Sequence, residues 1–248
     1  MSEEEIAFNK IVQKRQKVKE NSDEEDKDQD SGSEDDLDAE FELVAPCESF
    51  FHTIKMLTQN LCDEQKYDVS GLSDALIEQQ SLGSLPVTDL GFNLDEKFRL
   101  LNDKEFEKMR IKHNNERDVF GITTVINFSN REGKQFLEDI YGHLMYKAKK
   151  CLDKENLRKF ISILNNKKVA LFINERFLNL PVRLVPDLLR GVITDINFTK
   201  EQDDVPNPSD YNFDYFLGIA KLSTDDLYYK AEEEKFIEKS IVSFKFAC

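Results

Sequence analysis

Two stretches of the chain are apolar at almost every position, which is the pattern of β-strands buried on both faces. They span 119–128 and 169–174, and both are rich in the β-branched residues that favour strands. Weaker alternation of apolar and polar positions predicts a short strand at 40–45 and two more at 215–222 and 237–246. The pattern therefore predicts five strands distributed along the chain.

Apolar residues spaced three and four positions apart occupy most of the intervening sequence and predict helices. The predicted helices lie at 49–61, 70–79, 129–145, 157–164 and 181–196, with a charged helix somewhere within 94–111. Ser70 is the expected cap of the second helix, and Gly83 and Pro86 predict a loop after it. Strands that alternate with helices indicate an α/β (α+β) domain, for which we expect a single mixed β-sheet flanked by helices.

The first part of the chain has a different composition from the rest. Between Glu20 and Glu42 there are 13 acidic residues and one lysine, a net charge of −12 in a protein whose total is −15. Such a segment buries too little apolar surface to offset its chain entropy. We therefore expect a disordered arm over 1–39 and a folded domain over 40–248. The arm either keeps the protein in solution or binds a strongly basic partner.

The partner-binding interpretation assigns roles to individual residues of the arm. The acidic side chains expected to contact a basic partner are Asp23, Glu24, Glu25, Asp26, Glu34, Asp35, Asp36 and Asp38. A preceding basic cluster, formed by Lys14, Arg15, Lys17 and Lys19, is a candidate nuclear import signal. Ser22, Ser31 and Ser33 each have an acidic residue three positions later, which suits an acidophilic kinase, and phosphate would add negative charge.

The rest of the chain is nearly balanced in charge. Residues 43–248 carry −5, because 1–19 contribute +2 and the acidic segment −12. A weakly acidic domain argues against direct nucleic-acid binding, which requires a basic surface. The three histidines and four cysteines show no metal-ligand or paired spacing, so we expect reduced thiols and no metal. No apolar run approaches the ~20 residues that span a bilayer.

One strand-to-helix turn, 129–134, could hold a phosphate group at a helix N-terminus. It is not a P-loop, because Phe128 occupies the position of the first glycine and Gln135 that of the magnesium-binding hydroxyl. A plain turn is the simpler interpretation. The sequence also lacks a nucleophile elbow and a catalytic cysteine motif, so we predict no catalytic residues and no cofactor.

Three separated motifs carry a resemblance to a known family. They are Val119-Phe120-Gly121-Ile122, the segment N-E-R-F-L-N-L-P at 174–181, and A-E-E-E-K-F at 231–236. In this order, and after an acidic arm, they resemble the BCCIP family over about residues 40–246. The resemblance implies a fold of the GNAT acetyltransferase type without established acetyl transfer. It also implies a final strand and terminal helix, which we expect to be missing here because the chain stops soon after Phe246.

The resemblance further implies a non-enzymatic binding protein of the nucleus, able to shuttle to the cytoplasm. Family members escort a ribosomal protein of the large subunit, and they also bind a cyclin-dependent kinase inhibitor and a recombination mediator. For this chain the leading hypothesis is an escort of a basic client, which we expect to be such a ribosomal protein. The alternatives are a cell-cycle or DNA-repair adaptor and, third, an acyl-CoA-dependent transferase. The oligomeric state stays open.

Five charged residues of the folded domain are candidate partner contacts: Glu175, Arg176, Glu232, Glu233 and Glu234. The alternative for Glu175 and Arg176 is an ion pair with each other that fixes the turn after the strand, with the following phenylalanine in the core. For 232–234 the alternative is a solvated loop.

Overall fold

The computed structural model describes residues 40–62, 65–79, 82–89, 103–202, 205, 207–222 and 230–246, and the predicted arm lies outside them. Within these residues the chain forms five strands and seven α-helices, a mixed α/β structure. The strands are β1 (Phe41–Val44), β2 (Leu85–Thr88), β3 (Gly121–Asn127), β4 (Val169–Arg176) and β5 (Tyr215–Gly218). The helices are α1 (Phe51–Thr58), α2 (Val69–Glu78), α3 (Asp103–Asn115), α4 (Gln135–Cys151), α5 (Lys154–Asn166), α6 (Val185–Lys200) and α7 (Ala231–Glu238).

The strands form two sheets rather than the single mixed sheet that we predicted. β1 and β2 pair antiparallel, and in the larger sheet the central β4 is antiparallel to β3 and parallel to β5. Isolated bridges connect the two sheets, joining Ser84 to Thr123 and Val87 to Val119. Between these bridges lies Pro86, which has no N–H to donate, and this explains why the pairing there is discontinuous.

One strand was missed by the sequence predictions, and another was predicted too long. β2 lies where Gly83 and Pro86 predicted a loop; Gly83 adopts a φ of +104° just before the strand, and the Pro86 carbonyl still accepts a hydrogen bond from the Phe120 N–H at 2.9 Å. β5 ends at Gly218, whereas the sequence pattern continued to 222. Both errors concern a turn-forming residue, Pro86 in β2 and Gly218 at the end of β5. Such a residue can lie within or at the end of a strand as well as in a loop, so its presence alone did not predict the strand boundaries.

Helices cover both faces of the larger sheet. On one face, Val169, Leu171 and Ile173 of β4 belong to the main core, together with residues of α1, α2, α4 and α5. On the other face, Ala170 packs in a smaller cluster with Val192 of α6. Since successive residues of a strand point to opposite faces, burial on both sides accounts for the uninterrupted apolar run in β4.

Local sequence signals set several helix ends. Asp153 caps α5 by accepting hydrogen bonds at 2.9 Å from two backbone N–H groups of its first turn. Asp68, and not the predicted Ser70, caps α2 by accepting the Gly71 N–H at 2.9 Å. Pro186 lies in the first turn of α6, where a missing N–H is tolerated.

Two further helix starts are compared with the sequence predictions. α3 starts at Asp103, within the range 94–111 that was predicted to contain a charged helix, and the earlier part of that range lies outside the described residues. α4 starts at Gln135 rather than at Ser129, because the Ser129 hydroxyl is used elsewhere: it donates to the Lys167 carbonyl at 3.0 Å and accepts the Val169 N–H at 2.7 Å. These bonds tie the end of β3 to the start of β4.

The strand predicted at 237–246 is wrong. Its first two residues belong to α7, and none of 239–246 is part of a strand. Instead, the Phe244 ring lies 5.6 Å from that of Phe160 on α5, and the Phe246 ring lies 5.8 Å from that of His143 on α4, between centroids. The alternating aromatic residues that suggested a strand therefore pack onto helices.

Candidate partner-binding site

β4 is longer than the strand beside it. β5 pairs only with 169–172, whereas β4 continues to Arg176. Along the remaining half of β4, the edge that β5 leaves open faces the start of α7, where the Lys230 ammonium donates a hydrogen bond to the Asn174 carbonyl oxygen. Side chains from α7 and the residue before it thus cover this edge in place of a longer strand.

An arginine–glutamate pair joins the end of β4 to α7. Nη2 of Arg176 lies 3.0 Å from each carboxylate oxygen of Glu232, and the two side chains are only 5% and 11% exposed. The Asn174 amide donates to the same carboxylate at 3.1 Å and accepts from the Thr123 hydroxyl at 3.1 Å. A pair this well buried needs further hydrogen bonds to offset the loss of hydration: the Asn174 amide supplies one to Glu232, whereas the buried Nε of Arg176 has no hydrogen-bond partner among the described residues.

A second set of charges lies on the other side of the strand, since neighbouring strand residues point to opposite faces. The Glu175 carboxylate is 3.3 Å from the Lys221 ammonium and 3.7 Å from that of Lys230. Lys230 also pairs with Glu233 at 3.0 Å. Together with the first pair these residues make three carboxylates and three cations, which we call the charged cluster: Glu175, Arg176, Lys221, Lys230, Glu232 and Glu233.

The two glutamates of α7 in this cluster have opposite electrostatic environments. Burial raises the pKa of Glu233, and the attraction of Lys230 only partly opposes it. Burial also acts to raise the pKa of Glu232, but a backbone N–H together with Arg176 and Asn174 outweighs it and holds that pKa below its usual value. The carboxylate of Glu232 is therefore strongly favoured in its ionised form, while that of Glu233 is less so.

The three sequence motifs meet at this cluster. Gly121 lies directly opposite Arg176, and a Cβ atom at Gly121 would approach the Arg176 Cβ to 2.6 Å. The Phe177 N–H donates to the Phe120 carbonyl at 2.9 Å, which continues the pairing past the end of β4. Glu232, from the third motif, bonds to Arg176. Three segments that are far apart in sequence thus form one contact.

The structure changes the interpretation of the five candidate residues in the folded domain. Arg176 pairs with Glu232, while Glu175 and Glu233 both pair with Lys230, and these four candidates are largely enclosed. Glu234 alone is exposed, and contact of any of the five with a partner stays a prediction. The expected ion pair between Glu175 and Arg176 does not form, because adjacent strand residues point apart. The acidic run is also not a solvated loop but the first turn of α7, where negative charge favours a helix.

Other predicted residues stand differently. Phe177, expected in the core, is exposed. The acidic, basic and serine candidates of the arm all lie outside the described residues and stay predictions; they are Asp23, Glu24, Glu25, Asp26, Glu34, Asp35, Asp36, Asp38, Lys14, Arg15, Lys17, Lys19, Ser22, Ser31 and Ser33.

Sequence reasoning missed the cations of the cluster that come from outside β4. Lys230 lies two positions before the acidic run and three positions before Glu233, a spacing at which opposite charges pair on a helix. That spacing could have identified the pair from the sequence. No sequence signal indicated Lys221, because its contact with Glu175 depends on the path of the chain after β5.

Apolar side chains are exposed directly after the cluster. In the segment 177–182, which we call the apolar loop, Leu178 is 62% and Val182 71% exposed, and Phe177 is also accessible. Leu180 is buried, and its N–H donates a hydrogen bond to the Phe177 carbonyl at 3.2 Å. The loop is therefore a tight turn that the buried Leu180 side chain anchors to the domain. Exposed apolar residues held in a fixed conformation are typical of protein–protein contact surfaces.

The turn at 129–134 is not arranged around a phosphate. The Arg131 guanidinium donates to the Phe128 carbonyl at 2.9 Å and lies 4.3 Å from the centroid of the Tyr141 ring. Its charge is thus used to hold α4 against the end of β3. Among the described residues no group of three or more His, Cys, Asp or Glu side chains could hold a metal ion, and Cys47, Cys62 and Cys151 form no disulfide bond. No helix in the described part of the chain is long and apolar enough to cross a membrane.

The three motifs that converge on the charged cluster all lie within the part of the chain that matches a family model. The BCCIP family model matches residues 36–241. The chain therefore belongs to the BCCIP family, which confirms the resemblance seen in its motifs.

Individual relatives are distant. The chain is 24% identical to "Protein BCCIP homolog" of Arabidopsis thaliana, over 94% of this chain and 68% of the relative. It is 27% identical to "Protein bcp1" of Aspergillus oryzae, over 76% and 57% of the two chains, and 28% identical to "Protein BCP1" of Debaryomyces hansenii, over 69% and 50%. It therefore spans between half and about two thirds of the length of these relatives.

A solved structure supports the fold. The crystal structure of BCP1 from Saccharomyces cerevisiae is similar with a TM-score of 0.57 and 19% identity, covering 86% of this chain and 78% of the other. At this identity the similarity concerns the fold alone.

Proposed function

We propose that this protein is a non-enzymatic binding protein that escorts a basic client, a ribosomal protein of the large subunit, within the nucleus and during transport. Membership of the BCCIP family is the observation that carries the proposal. The acidic segment 20–42, with its net charge of −12, supplies a physical means. It competes with RNA for the positive charge of a free client, and it does so reversibly and with strong salt dependence.

The folded domain supports the proposal in a complementary way. Its charged cluster neutralises itself, so the buried carboxylates do not attract a basic client. The exposed side chains of the apolar loop instead offer a fixed contact surface. We assign the electrostatic part of client binding to the arm and the specific part to this loop.

The arm is tested with the full chain and a variant of equal length in which the acidic residues of 20–38 become Asn or Gln, so that β1 and the ion pair between Glu42 and Arg117 are left unchanged. Both are used to recover proteins from nuclear extract at low and raised salt, followed by mass spectrometry. We expect the unmodified chain to recover one basic ribosomal protein selectively and to lose it at raised salt. The neutral-arm variant should bind the purified client more weakly and with a flatter salt dependence. Unchanged affinity would exclude the arm as the binding element.

The apolar loop favours a second candidate, a cell-cycle or DNA-repair adaptor that binds a kinase inhibitor and a recombination mediator through the folded surface. The two functions respond differently to the neutral arm, whereas substitutions in the apolar loop should weaken both. Adaptor binding should survive the neutral arm and be lost when Leu178 and Val182 are both replaced by serine. Because both side chains are exposed, these substitutions should leave the fold intact.

An acyl-CoA-dependent transferase on a GNAT-like arrangement is the third candidate. The observation against it is that Arg131, in the turn 129–134 that could hold a phosphate, bonds within the protein. Calorimetry with acetyl-CoA tests it directly, and saturable heat of binding would restore it.

A further inference from the structure

The charges of the folded domain are unevenly distributed. Residues 147–159 contain six basic and two acidic residues, a net charge of +4, in a region 43–248 whose total is −5. The other residues of that region therefore carry −9. This positive segment spans the end of α4, the two-residue connection 152–153 and the first half of α5. We call it the basic corner.

Three of its six basic side chains are available to a ligand. Lys149, Lys154 and Arg158 are exposed and take part in no ion pair within the described residues. Lys147 of α4 and Lys159 of α5 both contact the segment 241–246: the Lys147 ammonium lies 4.7 Å from the Phe246 ring centroid, and that of Lys159 lies 3.5 Å from the Ile241 carbonyl oxygen. Both helices thus direct positive charge towards the same neighbouring segment.

Helix stability does not account for all of this charge. Lys149 and Lys150 lie in the last turn of α4, where positive charge is favourable. Lys154, however, is the first residue of α5, where the helix dipole opposes a cation. A positive charge at that position calls for another explanation than local stability.

An exposed aromatic ring accompanies the cations. Tyr146 is 55% exposed, and the Lys150 ammonium lies 4.1 Å from its ring centroid and donates a hydrogen bond to its hydroxyl. No other large apolar side chain between 143 and 159 is exposed, so the surface is charged with one stacking platform and is not suited to insertion in a membrane. Lysines around one exposed ring form the combination that binds single-stranded nucleic acid, through phosphate attraction and base stacking.

We propose that the basic corner binds the phosphate backbone of single-stranded nucleic acid, with Lys149, Lys154 and Arg158 at phosphates and Tyr146 stacked on a base. The overall charge of the chain argues against such binding, but an average over the chain does not describe one surface. The proposal is independent of the proposed client, since its test contains no client.

The test uses the full chain and fluorescence anisotropy with fluorescein-labelled oligo(U) and oligo(dT) of roughly 12 nucleotides, at about 50 mM salt and above. The variant K149E/K154E/R158E is compared with K104E/K108E/K112E, which makes the same change in charge on the exposed side of α3. We expect at least tenfold weaker binding for the corner variant and less than threefold for the control. The slope of log K against log salt should fall by about 2, because each lost single-strand phosphate contact contributes about 0.7.

Y146L separates stacking from charge. It should weaken binding about fivefold or more at an unchanged salt slope, as loss of one base stack requires. Circular dichroism checks that each variant is folded. A preference for oligo(U) or oligo(dT) identifies the natural source.

Three results would overturn the proposal. One is absence of binding by the unmodified chain at low salt. Another is an equal loss in the corner and α3 variants, which would make the effect one of net charge. The last is tighter binding of a labelled polyglutamate of equal charge, lost in the corner variant, which would identify an acidic protein segment as the partner.

Discussion

Gly121 leaves no space for a side chain at its position in β3. A Cβ atom there would lie 2.6 Å from the Arg176 Cβ and 2.9 Å from the Glu175 carbonyl oxygen, atoms that move only with the backbone. We expect Gly121→Ala to lower the free energy of unfolding by about 1–3 kcal/mol, the usual cost of overpacking. Urea unfolding measures this change.

Gly142→Ala is the matched control, because Gly142 lies within α4 and an added Cβ would meet no atom within 4 Å. It should raise stability by about 0.5–1 kcal/mol, since alanine favours a helix over glycine. If both substitutions changed stability alike, the steric role of Gly121 would be refuted.

Glu233 makes a prediction about pH. Its pKa is raised in the folded state by burial, so the folded protein binds its proton more tightly than the unfolded chain does. The corresponding stability is present below the ordinary pKa of 4.5 and is lost as the pH rises through the higher folded value. Glu233→Gln keeps a neutral side chain at every pH and should flatten the decline of unfolding free energy above pH 4.5.

The exposed neighbour Glu234 is the control for this measurement, and Glu234→Gln should leave the pH profile unchanged. Chemical denaturation at several pH values provides the curve. A decline of the same slope after the Glu233→Gln substitution would show that another group is responsible.

At the scale of elements, the attachment of α7 to β4 depends on buried charge. Arg176→Met leaves Glu232 without its main partner in a site where water is scarce. We expect a loss of about 2–4 kcal/mol in unfolding free energy, typical of breaking a buried pair on one side. The double variant R176M/E232M should recover most of this loss, because no unpaired charge is left.

Arg190 offers a comparison on the surface. It pairs with Asp187 on α6 but is exposed, so Arg190→Met should change stability by less than about 1 kcal/mol. If R176M were no less stable than R176M/E232M, the pair would contribute little to holding α7 against β4.

The elements that could be predicted from sequence are those with a strong local pattern. β3 and β4 are recognisable as nearly continuous apolar runs, and α5 is recognisable because its apolar residues recur at helical spacing. β2 and 239–246 were mispredicted because their conformations depend on distant partners: the first pairs with β1 across about forty residues of chain, and the second packs onto α4 and α5. Local patterns do not contain that information.

The same distinction applies to the site. The motifs containing Gly121, Arg176 and Glu232 could be selected from sequence, but their direct contact could not. The alternation rule would have shown that Glu175 and Arg176 point apart. It would not have supplied Lys221, because its contact with Glu175 depends on the path of the chain after β5 ends at Gly218, where the predicted strand does not continue.

At the scale of the whole molecule, net charge conceals three electrostatically distinct regions. The segment 20–42 carries −12, the basic corner carries +4, and the charged cluster is neutral. Each therefore suits a different kind of partner: a basic client, a polyanion, or none. Neutralising the arm and reversing the charge of the corner should affect different ligands, and the two experiments proposed above together test this separation.

The meeting of three motifs at one buried contact has a consequence for how this family diverges. A change at Arg176 alters what is tolerated at Gly121 and at Glu232, because residues in contact are not independent in their effect on stability. Substitutions at these three positions should then occur together during evolution, while distant surface positions should change independently of one another. Membership of the family could then be recognised at 24% identity from a few retained motif residues that are spread over more than a hundred positions.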